Sequence, residues 1–437
     1  MKVHHAAAVA LIAAAVFSGA ASARAEDAPA SPTPPSPPPE AQAQAPPAVT
    51  ASLPIRLFGN VNVRDDFQDP VDRPDLLLDP NQVNGLVARI RFGFEFKDEH
   101  STASGGIRFS TGESPNPTSP FVRIGNGFRE VPFGIDQYYI NLRPFRDKQR
   151  FVLSLGKIPL PFWKGEFGAY DSQMIFDHDV SPVGGAFHLN LYRKKDEKQS
   201  VSVDNVAGLF IIEWFRRDRF AGLVNDIYLV ADQLKVKVHR FTFAGGFYNW
   251  ENLNSGARSP SFVPGSTIFL LPGQSAFLVR PGFQRGNTLI NLGPDAFGFG
   301  NDRFRVVEAL GQVNLPVRIP FLGKSEAHVV GHWAHNFTAD FEEDAYGVTV
   351  GFTGGDYGRK VHPYTLWGTW RKVEADATIA AFTDSDLGAG TNYRGFEVSA
   401  DYKFTRHLTG YVSYFDAQIF PRRSPLQRLF FGLTWGF

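Results

Sequence analysis

Cysteine is absent from this 437-residue chain, and methionine occurs only twice. The first absence excludes disulfides, thiolate metal sites and cysteine nucleophiles. Charge of one sign is not in excess either, because 44 Lys and Arg residues balance 44 Asp and Glu residues. A formal net charge of zero does not indicate that the chain binds nucleic acid, so nucleic acid is not expected as a partner.

Long apolar runs are also lacking. From Leu53 onward no stretch reaches the roughly 18 apolar residues of a membrane-spanning helix. The apolar run at residues 6–17 is shorter still, follows Lys2 and precedes small residues at 21–25. This pattern predicts a secretory signal peptide over residues 1–25, with a membrane anchor as the alternative.

The segment after this leader is rich in proline and alanine and poor in large apolar residues. Residues 28–49 read APASPTPPSPPPEAQAQAPPAV, which cannot bury a core and favours an extended chain. We therefore expect a periplasmic tether over residues 26–52, followed by a single domain over residues 53–437.

Phenylalanine is abundant, with 41 residues, and aromatic residues make up 14% of the chain. Many aromatic residues recur with a period of two, as in LVARIRFGFEFK at residues 86–97. Successive side chains of a strand point to opposite faces, so this segment has one apolar face and one charged face. A half-buried strand of a soluble protein can also alternate, so the number of such segments decides the class.

Sixteen segments show this alternation, and bacterial outer-membrane barrels have an even number of strands. Most exceed the length of typical strands in soluble proteins. The sequence therefore predicts an all-β fold, a transmembrane antiparallel up-and-down β-barrel of about 16 strands. The segments are 54–66, 86–97, 102–112, 134–144, 149–158, 184–193, 205–216, 226–238, 240–250, 302–315, 324–337, 343–355, 361–373, 391–404, 407–418 and 426–437.

The connectors between these segments tend to alternate between long and short. Outer-membrane barrels combine long external loops with short periplasmic turns, which fits this alternation. Two periplasmic connectors, 194–204 and 316–323, are longer than expected. The long connectors are 67–85, 113–133, 159–183 and 251–301.

Energetics fixes which face of each strand meets the lipid. An arginine facing lipid at the bilayer midplane costs about 2–4 kcal/mol, so the strand arginines are expected to face the lumen. They would form a basic wall of Arg56, Arg89, Arg91 and Arg108.

Part of the chain resembles the Gram-negative "putative porin" family of outer-membrane barrels. The residues that carry the resemblance are LVARIRFGFEFK, GGIRFSTGE, LSLGKIPLPFW and FDHDVSPVGGAF, between about residues 86 and 193. The resemblance implies a porin-type channel in the outer membrane of a Gram-negative bacterium, without naming a solute. It also implies outer-membrane lipid and small hydrophilic solutes as partners, and homotrimers are common among 16-stranded porins.

In general porins the connector after the fifth strand folds into the barrel and narrows it. The corresponding connector here, residues 159–183, is suitably long and charged. We expect it to form the pore constriction opposite the basic wall, creating a transverse field that would favour anions if the arginines outweigh its acidic groups. An external, solvated loop is the alternative. The predicted constriction residues are Lys164, Glu166, Asp171, Asp177, His178 and Asp179.

Other chemistry finds little support in the sequence. The Asp-His-Asp run at 177–179 could hold Ca²⁺ or Zn²⁺, but no further ligand is identifiable, so neither a metal nor a cofactor is expected. In a strand, His328 and His332 share a face, which predicts lumen histidines. No GxSxG motif marks a nucleophilic serine, so an enzyme is not expected.

The last segment, RLFFGLTWGF at residues 428–437, ends in an aromatic residue with apolar residues at alternate positions before it. It resembles the C-terminal signal that barrel-assembly machinery reads, which makes that machinery a further partner. The predicted assembly signal is Leu429, Phe431, Leu433, Trp435 and Phe437.

The function predicted for the whole barrel is passive diffusion of solutes, and a non-conducting structural or adhesin-type barrel is the alternative.

Overall fold

A computed structural model describes most of the chain from Ile55 onward. The predicted signal peptide and tether lie outside the described residues. The described ranges are 55–68, 85–97, 102–112, 118, 121–124, 131–145, 150–195, 200–213, 226–255, 286–293, 296–357, 361–388, 390–420 and 424–437.

Sixteen antiparallel strands form a closed barrel, which confirms the predicted fold class. The first eight are β1 (Ile55–Gln68), β2 (Gly85–Lys97), β3 (Ala103–Thr111), β4 (Phe133–Leu142), β5 (Phe151–Lys157), β6 (Val183–Lys195), β7 (Ser200–Glu213) and β8 (Ile227–Val238). The second eight are β9 (Phe241–Glu251), β10 (Arg303–Ile319), β11 (Gly323–Asn336), β12 (Asp344–Gly354), β13 (Tyr364–Val373), β14 (Tyr393–Lys403), β15 (Leu408–Ile419) and β16 (Ser424–Gly436).

Closure comes from β1, which pairs with β2 along one edge and with β16 along the other. Each remaining strand pairs with its neighbours in sequence, so no barrel strand has a free edge. This arrangement satisfies the backbone polar groups that lipid cannot. In the described parts of the connectors there are three shorter strands: Val122–Arg123 pairs with β2, and Leu289–Gly293 pairs with Ala296–Phe299.

Side chains alternate between the two surfaces as the period of two requires. On β2, Ile90 is 40% exposed and Phe94 is 46% exposed on the outer surface, whereas the intervening Arg91 is 6% exposed. The apolar outer surface suits lipid, and the inward face carries the polar groups. Within the described residues, no helix has the length and apolar character needed to cross a membrane.

Strand β10 extends further than its sequence pattern predicts. Strand β10 continues through Pro316, which pairs with Glu326 of β11. Pairing of β10 with β9 ends at Val313, so Pro316 has a neighbour on one side only and its missing N–H costs little. The turn that follows is residues 320–322, so the connector predicted as 316–323 is a short turn.

The connector predicted as 194–204 is shorter for a similar reason. Strand β6 continues to Lys195, and β7 begins at Ser200, which pairs with it. The connector is therefore residues 196–199. Both exceptions to the alternation of long and short connectors disappear.

In addition to the apolar outer surface, an apolar cluster lies inside the barrel. It combines inward wall residues with residues of the connectors 158–182 and 374–392, and with Leu253 and Phe299 of the connector between β9 and β10. Trp250 of β9 has no exposed surface, and connector residues Phe176 and Phe382 are also buried. Burying these rings gives both connectors a reason to turn inward, because apolar surface gains about 25 cal/mol per Å² on leaving water.

Candidate functional site

Residues 158–182, which we call the inward loop, reach from β5 to the opposite wall of the barrel. The Ser172 hydroxyl lies 2.6 Å from Nδ1 of His332 on β11. The Tyr170 hydroxyl lies 2.7 Å from that of Thr349 on β12. Both partners face the lumen, so the loop lies among inward side chains rather than in the external solvent.

Two amide side chains of the wall hold the loop backbone. Gln233 of β8 accepts a hydrogen bond from Trp163 N at 2.8 Å and donates one to Trp163 O at 2.9 Å. Gln312 of β10 donates to Glu166 O at 3.1 Å. These bonds satisfy backbone groups that would otherwise be buried without a partner.

Asp179 joins the loop to the predicted basic wall. Its carboxylate accepts hydrogen bonds from Arg89 at 3.0 Å and from Arg91 at 2.8 Å, and its side chain is 3% exposed. Arg91 also lies 3.3 Å from Asp136 of β4, which pairs in turn with Arg108 at 2.5 Å. The acidic loop and the arginines are therefore in direct contact, and not separated by an open gap as a transverse field would require.

Arg56 is the predicted wall residue that the structure does not bring to this group. It is exposed near the start of β1, where it pairs in register with Glu95. Arg64, on the same face of β1, lies in the site instead. Its guanidinium stacks between the rings of Phe121 and Phe430, 4.2 and 4.0 Å from their centroids.

The remaining predicted constriction residues differ in their surroundings. Lys164 and Asp171 form an ion pair within the loop, while the Glu166 side chain is exposed. His178 is exposed, with Nδ1 3.0 Å from the side-chain oxygen of Gln173. Of this set, only Asp177 and Asp179 are buried.

Asp177 contacts a segment that the sequence did not single out. Its Oδ2 accepts hydrogen bonds from the backbone N and the hydroxyl of Ser385, each at 3.2 Å. Asp177 N donates to Phe382 O at 2.7 Å. These partners belong to the connector between β13 and β14, residues 374–392, which we call the second inward segment.

The second inward segment is tied to the wall by two arginines. Arg371 of β13 pairs with Asp384 at 2.5 Å, and both side chains are almost fully buried. Arg428 of β16 donates to Ser385 O at 2.9 Å and to Asp386 O at 3.0 Å. The apolar run Ile379–Phe382 inside a connector was the signal that could have revealed this segment.

Burial raises the pKa of Asp177 to about 7, with Asp179 and Asp384 adding to the rise. Because the folded state then binds this proton more tightly than the unfolded state, its stabilising contribution is present at low pH and lost as pH rises towards about 7. We expect the thermal midpoint in detergent to fall less steeply over this range in Asp177→Asn than in wild type. Parallel pH profiles for the two proteins would contradict this assignment.

The Asp-His-Asp run has a geometry that serves ion pairing. Ligand atoms of Asp177, His178 and Asp179 lie within 4.8 Å of one another. However, Asp179 already accepts from two arginines, and Asp177 accepts from Ser385 and from Asp179 N. The short distances between these ligand atoms are therefore the one feature that favours a bound cation. The donors that already occupy the carboxylate oxygens oppose it.

Ser172, His332 and Glu308 form a chain that resembles a hydrolytic triad. His332 Nδ1 meets Ser172, and its Nε2 lies 2.9 Å from Glu308. Glu308 also accepts from Tyr248 at 2.7 Å and from Gln233 at 3.1 Å. Ser172 is 3% exposed and does not line the cavity described below, so this network anchors the loop to the wall.

A cavity of about 380 Å³ lies beside the inward loop. Its walls come from the loop, the second inward segment, Phe121 and strands β1, β2 and β13–β16. The charged side chains at its surface are Arg64, Arg89, Asp171, Asp384, Asp386, Glu397 and Asp401, with His178 beside them.

Comparison with protein families matches residues 60–312 and 323–421 to the family described as "Putative porin". The chain belongs to this family. It is thus a porin-type outer-membrane barrel, which agrees with the resemblance seen in the sequence. Comparison with curated proteins gives no match.

Comparison with solved structures finds several proteins that are similar to this porin-type barrel at low sequence identity. Salmonella typhi OmpF in complex with daunomycin is 10% identical, with a TM-score of 0.48, covering 88% of this chain and 97% of that one. The outer membrane channel DcaP of Acinetobacter baumannii is 11% identical, with a TM-score of 0.45 and coverages of 88% and 97%. A mutant of the Rh. blastica porin is 11% identical, with a TM-score of 0.42 and coverages of 88% and 100%.

The final strand of this porin-type barrel carries the residues of the predicted assembly signal on one surface. Phe431 is 45% exposed, Trp435 is 42% exposed and Phe437 is 52% exposed on the outer surface. Leu429 and Leu433, which share that face, are partly exposed. Their role in assembly remains a prediction.

Proposed function

We propose that the protein is a passive diffusion channel for small hydrophilic solutes or ions, narrowed by the inward loop. The observation that carries this proposal is the path of the loop from β5 across to β11 and β12. A closed barrel of 16 strands encloses a water-filled lumen, and a loop fixed inside it reduces the open cross-section. Solutes would then pass through the cavity beside the loop.

The constriction that this proposal implies is held by charge at one end and by neutral hydrogen bonds along its length. Asp179 fixes its end to Arg89 and Arg91, whereas Gln233 and His332 fix its middle. A loop held at several points by buried bonds is a fixed sieve, since every bond must be replaced by water for the loop to leave.

The proposal also includes the route to the membrane. The signal peptide over residues 1–25 would direct export, and the tether over residues 26–52 would remain in the periplasm. Barrel-assembly machinery would insert the barrel into the outer membrane of a Gram-negative bacterium, where lipid meets its apolar outer surface. A homotrimer is the oligomeric state that we propose by resemblance to other 16-stranded porins.

Purified protein reconstituted in a planar bilayer is expected to give discrete conductance steps that scale with salt concentration. Swelling of proteoliposomes in sugars of increasing mass should slow sharply beyond a size limit, because the inward loop acts as a sieve. Heat-modifiable migration in mild detergent gels serves as the control for a folded barrel. A folded protein that conducts neither ions nor sugars would contradict the proposal.

A non-conducting barrel is the second candidate, and one observation favours it. The apolar cluster joins the inward loop and the second inward segment to wall residues on strands from β6 to β16, so it fills part of the lumen with side chains that exclude water. The cavity borders this cluster at Phe415 and Phe430, but seven charged side chains also line it, which is why we place conduction there. The bilayer measurement separates the two candidates directly.

A further inference from the structure

The lining of the cavity carries more negative than positive groups. Its two guanidiniums, Arg64 and Arg89, are both ion-paired: Arg64 with Asp66 and with the lining Asp386, and Arg89 with Asp179 at 3.0 Å. Five carboxylates share the same surface. Ion pairing weakens the attraction that groups of either sign exert on mobile ions, and the lining carboxylates still outnumber the lining guanidiniums.

Among the described residues, Asp401 is the lining carboxylate without an ion pair. Of the others, Asp171 pairs with Lys164, Asp386 with Arg64, and both Asp384 and Glu397 with Arg371. Glu397 accepts from the indole N–H of Trp367 at 3.1 Å and from Ser399 at 2.7 Å, while Arg371 is 3.6 Å away. Among the residues that the structure describes, Oδ2 of Asp401 has no hydrogen-bond partner. Lys403, two residues further on, is exposed at the end of β14.

Aromatic rings lie next to these carboxylates. Tyr170 of the inward loop and Trp367 of β13 line the cavity with their ring centroids 6.0 Å apart. Tyr411 and Phe415 of β15 complete this side. Aromatic faces attract organic cations, quaternary ammonium groups above all, and carboxylates nearby strengthen the attraction.

We infer that the cavity prefers cations and admits small organic ammonium ions, which reverses the anion preference expected from the arginines alone. The inference rests on the proposed function, because it assumes that solutes pass through this cavity. Two independent features carry it: five lining carboxylates against two lining guanidiniums, and the aromatic faces beside Glu397 and Asp401. Charged walls of this kind set ion selectivity in narrow pores.

The first test is the reversal potential of the wild-type channel in a planar bilayer under a KCl gradient. We expect K⁺ to be more permeant than Cl⁻, by about threefold or more if one unscreened carboxylate acts within the cavity. Millimolar tetramethylammonium chloride should reduce the K⁺ current more than the same concentration of NaCl. A channel that conducts but prefers Cl⁻ overturns the inference and leaves the proposed function standing.

The second test assigns the preference to the cavity. The double variant Glu397→Gln, Asp401→Asn keeps side-chain size and is expected to lower the K⁺ to Cl⁻ permeability ratio by about threefold and to weaken the tetramethylammonium effect. Asp340→Asn removes one carboxylate from an exposed site between β11 and β12. It should change neither the permeability ratio nor the tetramethylammonium effect. Equal effects of the two changes would place the selectivity outside the cavity and overturn the inference. If the double variant does not fold, the wild-type measurements alone decide.

Discussion

Replacing Asp179 with asparagine is expected to free the end of the inward loop and to increase the single-channel conductance. Asp179 is the shared partner of Arg89 and Arg91, and its side chain is 3% exposed. Removing one member of a buried ion pair costs about 3–5 kcal/mol, because it leaves uncompensated charge behind. Two guanidiniums without their carboxylate would repel each other and draw water into the contact.

The pKa of Asp179 makes its own contribution to stability independent of pH over a wide range. Burial alone would raise the pKa, but Arg91, His178 and Arg89 outweigh it and hold the value below its usual range. A depressed pKa gives stability that is present above the unfolded value and lost only as pH falls through the folded value. A pH dependence in the difference between wild type and Asp179→Asn should therefore come from Asp177, whose pKa Asp179 helps to raise.

The matched control is Glu166→Gln, in the same loop. The Glu166 side chain is exposed and does not line the cavity. Substitutions at exposed sites usually change stability by no more than about 0.5 kcal/mol, so this variant should conduct nearly as wild type does. An unchanged conductance and size limit in Asp179→Asn, with the barrel intact by gel mobility, would show that Asp179 does not hold the constriction.

The strands could be predicted because their evidence is local. Alternation of lipid-facing and lumen-facing residues repeats every two positions, and burying an arginine in lipid is costly enough to fix the facing of β2. The end of β10 was harder to place, since Pro316 normally stops a strand. Its tolerance depends on where β9 begins, at Phe241, which the local sequence does not reveal.

The candidate site was only partly predictable because its contacts join distant parts of the chain. The facing rule placed Arg89, Arg91 and Arg108 in the lumen, where Asp179 and Asp136 meet them. The same rule could not give the position of a residue along the barrel axis. For this reason Arg56 was predicted to lie in the site, whereas Arg64, on the same face of β1, is the residue that lies there. The bond between Asp177 and Ser385 joins residues 208 positions apart, and no local pattern marks such a contact.

Removal of Phe437 is expected to lower the fraction of protein that assembles in the outer membrane, without altering export. Phe437 N donates to Gly59 O at 3.1 Å, and Gly59 N donates to Phe437 O at 3.2 Å, across the seam between β1 and the final strand. Its ring lies so close to Gly59 that a Cβ there would meet it at 2.5 Å. The deletion removes two hydrogen bonds from the seam that closes the barrel, together with the last residue of the proposed assembly signal.

Two substitutions separate these causes. Phe437→Ala keeps both backbone hydrogen bonds but removes the ring, whereas Phe145→Ala removes an outward ring that is 63% exposed after β4, away from the seam. If the ring is read during assembly, Phe437→Ala should resemble the deletion and Phe145→Ala should resemble wild type. If closure of the seam dominates, Phe437→Ala should assemble nearly normally. Quantitative blotting of outer-membrane and periplasmic fractions measures both outcomes, and normal assembly of the deletion would refute both explanations.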